Sequence, residues 1–235
     1  MSETATPDFS AEAKTAEAHR LAGEYEEAGK IYRDLADRDD PLTSGYGHHH
    51  LSITMRNLAE KAKGGAAVHP PERYLDEALK EANTAREQYE KAGDTIRASA
   101  AILDRAMVFR DKLDFEQAET LIDESIKYLE DQRHTVTDTG FFNEHLGIKR
   151  VRLAEVYFKR GDLDGTKREL AKADAIPQSN PYFVMVRDQI AGDVFSASGD
   201  IDEAKKAYEK ALEYAARVNE PRRVKQLEQA LTELG

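Results

Sequence analysis

The sequence predicts an all-α protein, an array of about five helical hairpins followed by a C-terminal capping helix. Three observations predict this fold class. Apolar stripes with helical spacing recur along the chain, short turns interrupt them, and small residues return at a fixed distance after a turn. In the clearest example, Val194 ends one stripe, Gly199 marks the turn, and Ala204 and Tyr208 lie on the next stripe. The small Ala204 side chain allows the two helices to pack closely.

The predicted hairpins cover most of the chain. We expect residues 1–9 to be disordered, because they are polar and terminal, and residues 10–235 to form a single solenoid domain. The hairpins are predicted over residues 10–41, 42–92, 94–132, 140–176 and 181–218.

Glycines are predicted to end the first helix of several hairpins, because glycine readily takes the left-handed conformation of a helix C-terminus. Gly23, Gly161 and Gly199 stand at these turns, whereas the third hairpin has Leu113 in the equivalent place. Aspartate follows the break at Gly93 and the turn at Gly199. Asp94 and Asp200 are therefore predicted to cap the helices that begin there.

The second hairpin is the least regular. Leu51 and Leu58 indicate its first helix, the glycine- and proline-rich residues 64–71 predict an extended connection, and a long second helix follows. Pro41 is expected to close the first hairpin, so that the helix of the second would start near the histidines that follow at 48–50.

The capping helix is predicted over residues 221–234, with Leu227 and Leu231 on its apolar face. Arg222, Arg223 and Lys225 are among the residues expected to keep the remainder exposed. A half-polar terminal helix covers the open end of a helical stack.

Composition excludes several function classes. The net charge of −11 argues against nucleic-acid phosphate as a main partner, since phosphate binding needs a basic surface. The absence of cysteine excludes disulfides, thiolate zinc sites and a cysteine nucleophile. The first residues do not resemble a secretory signal, and no apolar run could span a bilayer, so we predict a cytoplasmic protein without membrane insertion.

Catalytic and metal-binding motifs are not found. His48, His49 and His50 are consecutive, and helical neighbours point about 100° apart, so the three cannot all face one ion. No phosphate-binding loop, nucleophile elbow or metalloprotease motif is present. We therefore predict a protein that is not an enzyme and holds no metal or cofactor.

The turn pattern resembles the tetratricopeptide repeat. A glycine is followed by an apolar residue, a small residue and a tyrosine or leucine at fixed spacing, as in Gly23-Tyr25-Ala28-Tyr32, Gly161-Leu163-Thr166-Leu170 and Gly199-Ile201-Ala204-Tyr208. The resemblance covers nearly the whole chain from about Ser10 to Leu234, with longer helices than is usual in the family. It implies a right-handed superhelix whose first helices line a concave groove that takes a partner peptide or helix.

Groove-facing positions follow from this resemblance by register. They are Arg56, Leu103, Met107, Arg110, Val151, Glu155, Phe158, Lys159, Gln189 and Asp193, with Glu17 and Arg20 in the first hairpin and His49 and Ser52 as weaker candidates. One subclass of the family grips a C-terminal carboxylate with paired lysine and asparagine. The matching positions here, Glu17, Met107, Glu155 and Asp193, lack both, so we reject that clamp.

The leading hypothesis is a scaffold that holds a segment of another protein in the groove. Leu103, Met107 and Phe158 would bury apolar side chains of the segment, and Arg110 and Lys159 would pair with its acidic groups. Two alternatives stay open at this stage. One is a self-associating structural scaffold, a homo-oligomer, and the other is the sensor or chaperone component of a regulatory system.

Overall fold

The computed structural model describes residues 10–177 and 180–235. The predicted disordered segment 1–9 lies outside the described residues, so that prediction stays a prediction. In the described part of the chain the structure contains helices and no strand. The α-helices are α1 Ser10–Leu21, α2 Tyr25–Ala36, α3 Pro41–Lys63, α4 Pro71–Lys91, α5 Thr95–Asp111, α6 Phe115–Asp131, α7 Thr139–Arg160, α8 Leu163–Asp174, α9 Pro181–Ala197, α10 Ile201–Arg217 and α11 Pro221–Glu233.

The predicted all-α array of hairpins is confirmed. Successive helices pair as predicted, α1 with α2, α3 with α4, α7 with α8 and α9 with α10, and α11 packs on α10. The chain divides into two compact units, Met1–Leu129 and Glu130–Gly235, which we call unit 1 and unit 2. The predicted single solenoid domain stays a prediction.

The inward stripe of each hairpin forms the core of its unit. In unit 1, Tyr32 and Leu35 of α2 are fully buried among residues of α1 and α3. In unit 2, Ala204 and Ala211 of α10 are fully buried beside Phe183 of α9. These residues are apolar at helical spacing, so burial of one face drives each helix onto its neighbour.

The turns have the backbone that glycine favours. Gly23, Gly161 and Gly199 have φ of +81°, +85° and +79°. Asp94 caps α5 by accepting a hydrogen bond from the backbone N–H of Arg97 at 2.9 Å, as predicted. Asp200 is the N-cap residue of α10, as predicted, but its side chain makes no capping hydrogen bond there.

The second hairpin begins earlier than predicted. Asp40 accepts a hydrogen bond from the Thr43 backbone N–H at 2.8 Å, and Pro41 is the first residue of α3. A proline suits this position because its missing N–H would have no helical partner. Pro41 therefore starts the second hairpin as well as ending the first, and the three histidines lie in the middle of α3.

Replacing Leu113 with glycine is expected to raise the free energy of unfolding by about 1 kcal/mol. Leu113 has φ of +65°, a left-handed conformation that disfavours a side chain, and 71% of its surface is exposed, so little packing is lost. Urea unfolding checks the change. As a control, Ala92→Gly changes an exposed helix C-cap with φ of −75° and should lower stability instead. A destabilised Leu113→Gly variant would contradict the expectation.

Candidate partner-binding face

In unit 1, the predicted α1 residues bond to each other. Arg20 donates two hydrogen bonds to Glu17, at 2.7 and 2.6 Å, and the Tyr32 hydroxyl donates to Glu17 at 3.1 Å. The Glu17 carboxylate thus connects α1 to α2. The hydrogen bonds that this carboxylate accepts therefore stabilise the first hairpin.

The three histidines of α3 contact three different sets of neighbours. The His48 Nδ1 atom is 2.5 Å from Glu81 of α4, and the His49 Nδ1 atom is 2.5 Å from Asp104 of α5, without hydrogen-bond geometry in the second contact. The His50 ring stacks on Tyr32 of α2, with centroids 5.0 Å apart. As expected, the histidines face different ways. Within residues 10–177 and 180–235, no group of three potential ligands is arranged to hold a metal ion.

Arg56 and Arg110 share one carboxylate. Arg56 donates to Asp111 at 2.7 Å, and Arg110 donates to the other oxygen of Asp111 at 2.9 and 2.6 Å. Burial raises the pKa of Asp111, but the charges of the two arginines outweigh it and hold this pKa below its ordinary value. Two of the arginines predicted for the groove, Arg56 and Arg110, are therefore engaged in an ion-pair cluster between α3 and α5.

Three of the predicted apolar groove residues are buried. Leu103, Met107 and Val151 expose 7%, 3% and 0% of their surface. Side chains buried to this degree have little surface to offer a partner, so the expected apolar floor does not fit these three. They follow the same helical apolar spacing as core residues, and the sequence does not separate the two roles. Ser52 is also fully buried.

In unit 2, polar side chains of α7 and α9 form a hydrogen-bonded group. Arg152 donates to Glu155 at 2.8 Å along α7 and to the Tyr182 hydroxyl of α9 at 2.8 Å. The side chains of Arg152 and Glu155 are only 12% and 16% exposed. The predicted Glu155 is therefore held in place by a residue that the sequence analysis did not select.

Further along α9, two predicted residues have partners in later helices. Gln189 accepts a hydrogen bond from Arg223 of α11 at 2.8 Å, and Asp193 accepts one from the Tyr208 hydroxyl of α10 at 2.7 Å. Burial raises the pKa of Asp193; the Tyr208 hydrogen bond opposes this, and the charge of Glu155 adds to it.

The end of α7 presents the most accessible predicted residues of unit 2. Phe158 is half-buried and Lys159 is exposed. No carboxylate oxygen of the described residues lies within 4.0 Å of the Lys159 ammonium group, and its charge acts on Asp193 from a longer distance. Both lie one helical turn after Glu155, on the same side of α7. We call the side chains of Arg152, Glu155, Phe158, Lys159, Tyr182, Gln189, Asp193 and Arg223 the first-helix face of unit 2.

Three members of this face were missed from the sequence. Arg152 precedes Glu155 by three residues, a spacing that permits an ion pair on a helix, and this signal could have found it. Tyr182 carried no such local signal. Arg223 was expected to be exposed on the capping helix, but it is half-buried against Gln189, so that expectation is wrong.

None of the helices in the described ranges has the length and apolar character needed to cross a membrane. The helices also place no recognised catalytic motif on the first-helix face of unit 2. Its side chains supply hydrogen-bond donors and acceptors of both charges beside two aromatic rings, Phe158 and Tyr182.

Comparisons with known proteins agree with this architecture. The structure resembles TTC0263, a thermophilic tetratricopeptide repeat protein of Thermus thermophilus, with 19% identity and a TM-score of 0.52, over 95% of this chain and 98% of that one. It also resembles BtubC (BKLC) from P. vanneervenii, with 19% identity and a TM-score of 0.51, over 87% of this chain and 78% of that one. At this identity the likeness shows the fold. No curated protein matches the sequence.

The family assignment comes from the sequence itself. Residues 72–234, more than half of the chain, match the family described as tetratricopeptide repeat-like domain. This is the repeat that the turn pattern predicted, and the helical hairpins of both units have its form. The chain therefore belongs to the tetratricopeptide repeat-like domain family.

Proposed function

We propose that the protein is a non-enzymatic scaffold that binds a segment of another protein on the first-helix face of unit 2. The observation that carries the proposal is the combination on this face of a half-buried aromatic ring, Phe158, with an exposed, unpaired cation, Lys159, among the described residues. Helical repeat proteins of this family typically mediate protein–protein interaction, which supports the same function. A cytoplasmic location is part of the proposal.

The polar group beneath these residues supports a fixed binding surface. Arg152 joins Glu155 to Tyr182, and Arg223 joins Gln189 to α11, so side chains from three helices are held by hydrogen bonds. A bound segment would meet donors and acceptors that are already oriented, which reduces the entropy lost on binding.

Unit 1 is a poorer candidate for the primary contact. Its predicted cations Arg56 and Arg110 already neutralise Asp111, and their side chains are 15% and 12% exposed. Reversing either charge would leave the half-buried Asp111 with less compensation and would disturb the fold as well as any binding. Lys159 gives the cleaner test.

Replacing Lys159 with glutamate is expected to weaken partner binding by roughly tenfold, because reversing an interfacial charge places like charges opposite one another. The measurement is affinity capture from a lysate of the source organism, followed by mass spectrometry and titration of each captured protein. Lys167→Glu is the matched control, since Lys167 is an exposed lysine on α8, outside the first-helix face.

A protein retained by the wild type and by Lys167→Glu, and lost by Lys159→Glu, would support the proposal. Equal capture by all three proteins would contradict it. Light scattering over a range of concentrations accompanies the capture, because a mass that rises with concentration would instead indicate the self-associating scaffold.

A further inference from the structure

Arg223 differs from the other partly buried arginines of unit 2. Among the described residues of this unit, those arginines are Arg150, Arg152, Arg187 and Arg223. Each of the first three has a carboxylate oxygen nearby, at 3.2, 2.8 and 2.6 Å respectively. No carboxylate oxygen of the described residues lies within 4.0 Å of Arg223. A partly desolvated cation without such a partner is unfavourable unless an anion approaches it.

The Arg223 guanidinium keeps hydrogen-bonding capacity for such an anion. It has five N–H donors, and the one side-chain hydrogen bond that it makes within the described chain is from Nη1 to the Gln189 side-chain carbonyl oxygen at 2.8 Å. None of its nitrogen atoms is both fully buried and unbonded, so the unused donors are reached by solvent. The bond to Gln189 holds the planar group in position.

Two of the nearby carboxylates, Glu155 and Asp193, have other hydrogen-bond partners. Glu155 is bonded to Arg152, and Asp193 is bonded to the Tyr208 hydroxyl. Together with Glu220, these two acids influence Arg223 only at longer range. Burial is the main cause that lowers the pKa of the Arg223 guanidinium, which nevertheless stays charged at physiological pH. Exposed Lys159 is a third positive charge on this face, besides Arg152 and Arg223.

We propose that Arg223 receives an aspartate or glutamate side chain of the bound segment, so that the partner of the first-helix face is an acidic segment of another protein. This inference rests on the proposed function. Guanidinium binds a carboxylate through two parallel hydrogen bonds, and that geometry selects a carboxylate over an amide of the same shape. The partner carboxylate would supply the ion pair that the other partly buried arginines of unit 2 already have.

The test uses the full chain and a synthetic peptide library. Each position of the library is varied among Asp, Glu, Asn and Gln, and every peptide has an amidated C-terminus. We expect the wild type to prefer an acid over its amide at one position by roughly tenfold or more, since each 1.4 kcal/mol corresponds to a factor of ten. Arg223→Gln is expected to lose this preference, and Arg223→Lys is expected to keep only part of it.

Controls separate this inference from the proposed function. Arg217→Gln removes an exposed arginine of α10 and should retain the preference. Thermal melting curves are measured for each variant to check that it is folded. No peptide binding, a preference that survives Arg223→Gln, or binding that requires a free C-terminal carboxylate would overturn the inference. Suppose that Lys159→Glu fails to capture a protein that the Arg223→Gln variant still captures. This result would support the proposed function and would contradict the role of Arg223.

Discussion

Replacing Gly47 with alanine is expected to lower the free energy of unfolding by about 3 kcal/mol. A Cβ atom at this position of α3 would lie 2.3 Å from the backbone nitrogen of Ala36 and 2.7 Å from the carbonyl oxygen of Tyr32, both in α2. Backbone atoms cannot rotate away as a side chain can, so the two helices would have to separate. The gain in helix propensity from glycine to alanine, about 1 kcal/mol, is too small to offset this.

The matched control for this prediction is Gly29→Ala in α2. A Cβ atom there would meet no atom closer than 3.9 Å, an ordinary contact distance. This variant should therefore be as stable as the wild type or more stable, because alanine favours the helix. Urea unfolding followed by circular dichroism measures both variants. Equal stability of Gly47→Ala and the wild type would show that α2 and α3 do not approach so closely.

The second large effect is expected from acidification, through His50. Burial lowers the pKa of this histidine well below 6.5, and the charges of His49 and Arg20 add to the effect. Its ring packs against both Tyr32 and Tyr46, and its Nδ1 atom is buried without a hydrogen-bond partner.

The sign of the pH dependence follows from the lowered pKa. Below pH 6.5 the unfolded chain binds a proton at His50 that the folded chain does not, so stability is lost as the pH falls from 6.5 towards the folded-state pKa. The slope approaches about 1.4 kcal/mol per pH unit for this one proton. His50→Phe keeps an aromatic ring in the stack and removes the titration.

Urea unfolding of the wild type and of His50→Phe, at about pH 7.5 and about pH 5.5, tests this expectation. The difference between the two proteins isolates the contribution of His50 from that of the other ionisable groups of the chain. We expect His50→Phe to lose less stability on acidification than the wild type by about 1 kcal/mol. An identical loss in both proteins would refute the role of His50.

The local features of this protein were predictable from its sequence. The ends of helices could be predicted from glycines such as Gly161 and Gly199, because only a residue without a side chain takes the left-handed turn easily. The burial of residues such as Tyr32 and Ala204 could be predicted from the helical spacing of apolar residues, since one face of each helix must be buried. These signals depend on neighbours within a few positions along the chain. They also identified the repeat and thereby the family.

The partners of polar side chains were decided by the tertiary structure. Arg222 and Arg223 are adjacent in sequence and alike in chemistry, yet Arg222 is exposed, whereas Arg223 is half-buried and bonded to Gln189, 34 positions earlier. Likewise, Met107 and Phe158 are both apolar groove candidates, and packing buries the first and leaves the second partly accessible.

The physical reason for this division is the separation along the chain between the residues that determine each feature. Helix propensity, capping and apolar spacing are properties of a short segment and can be read from it. Burial and ion pairing depend on which distant helix supplies the neighbouring atoms. The sequence by itself therefore determined the repeat and its hairpins. Only the packing of α11 on α10, which brings Arg223 to Gln189 of α9, determined that Arg223 belongs to the candidate binding face.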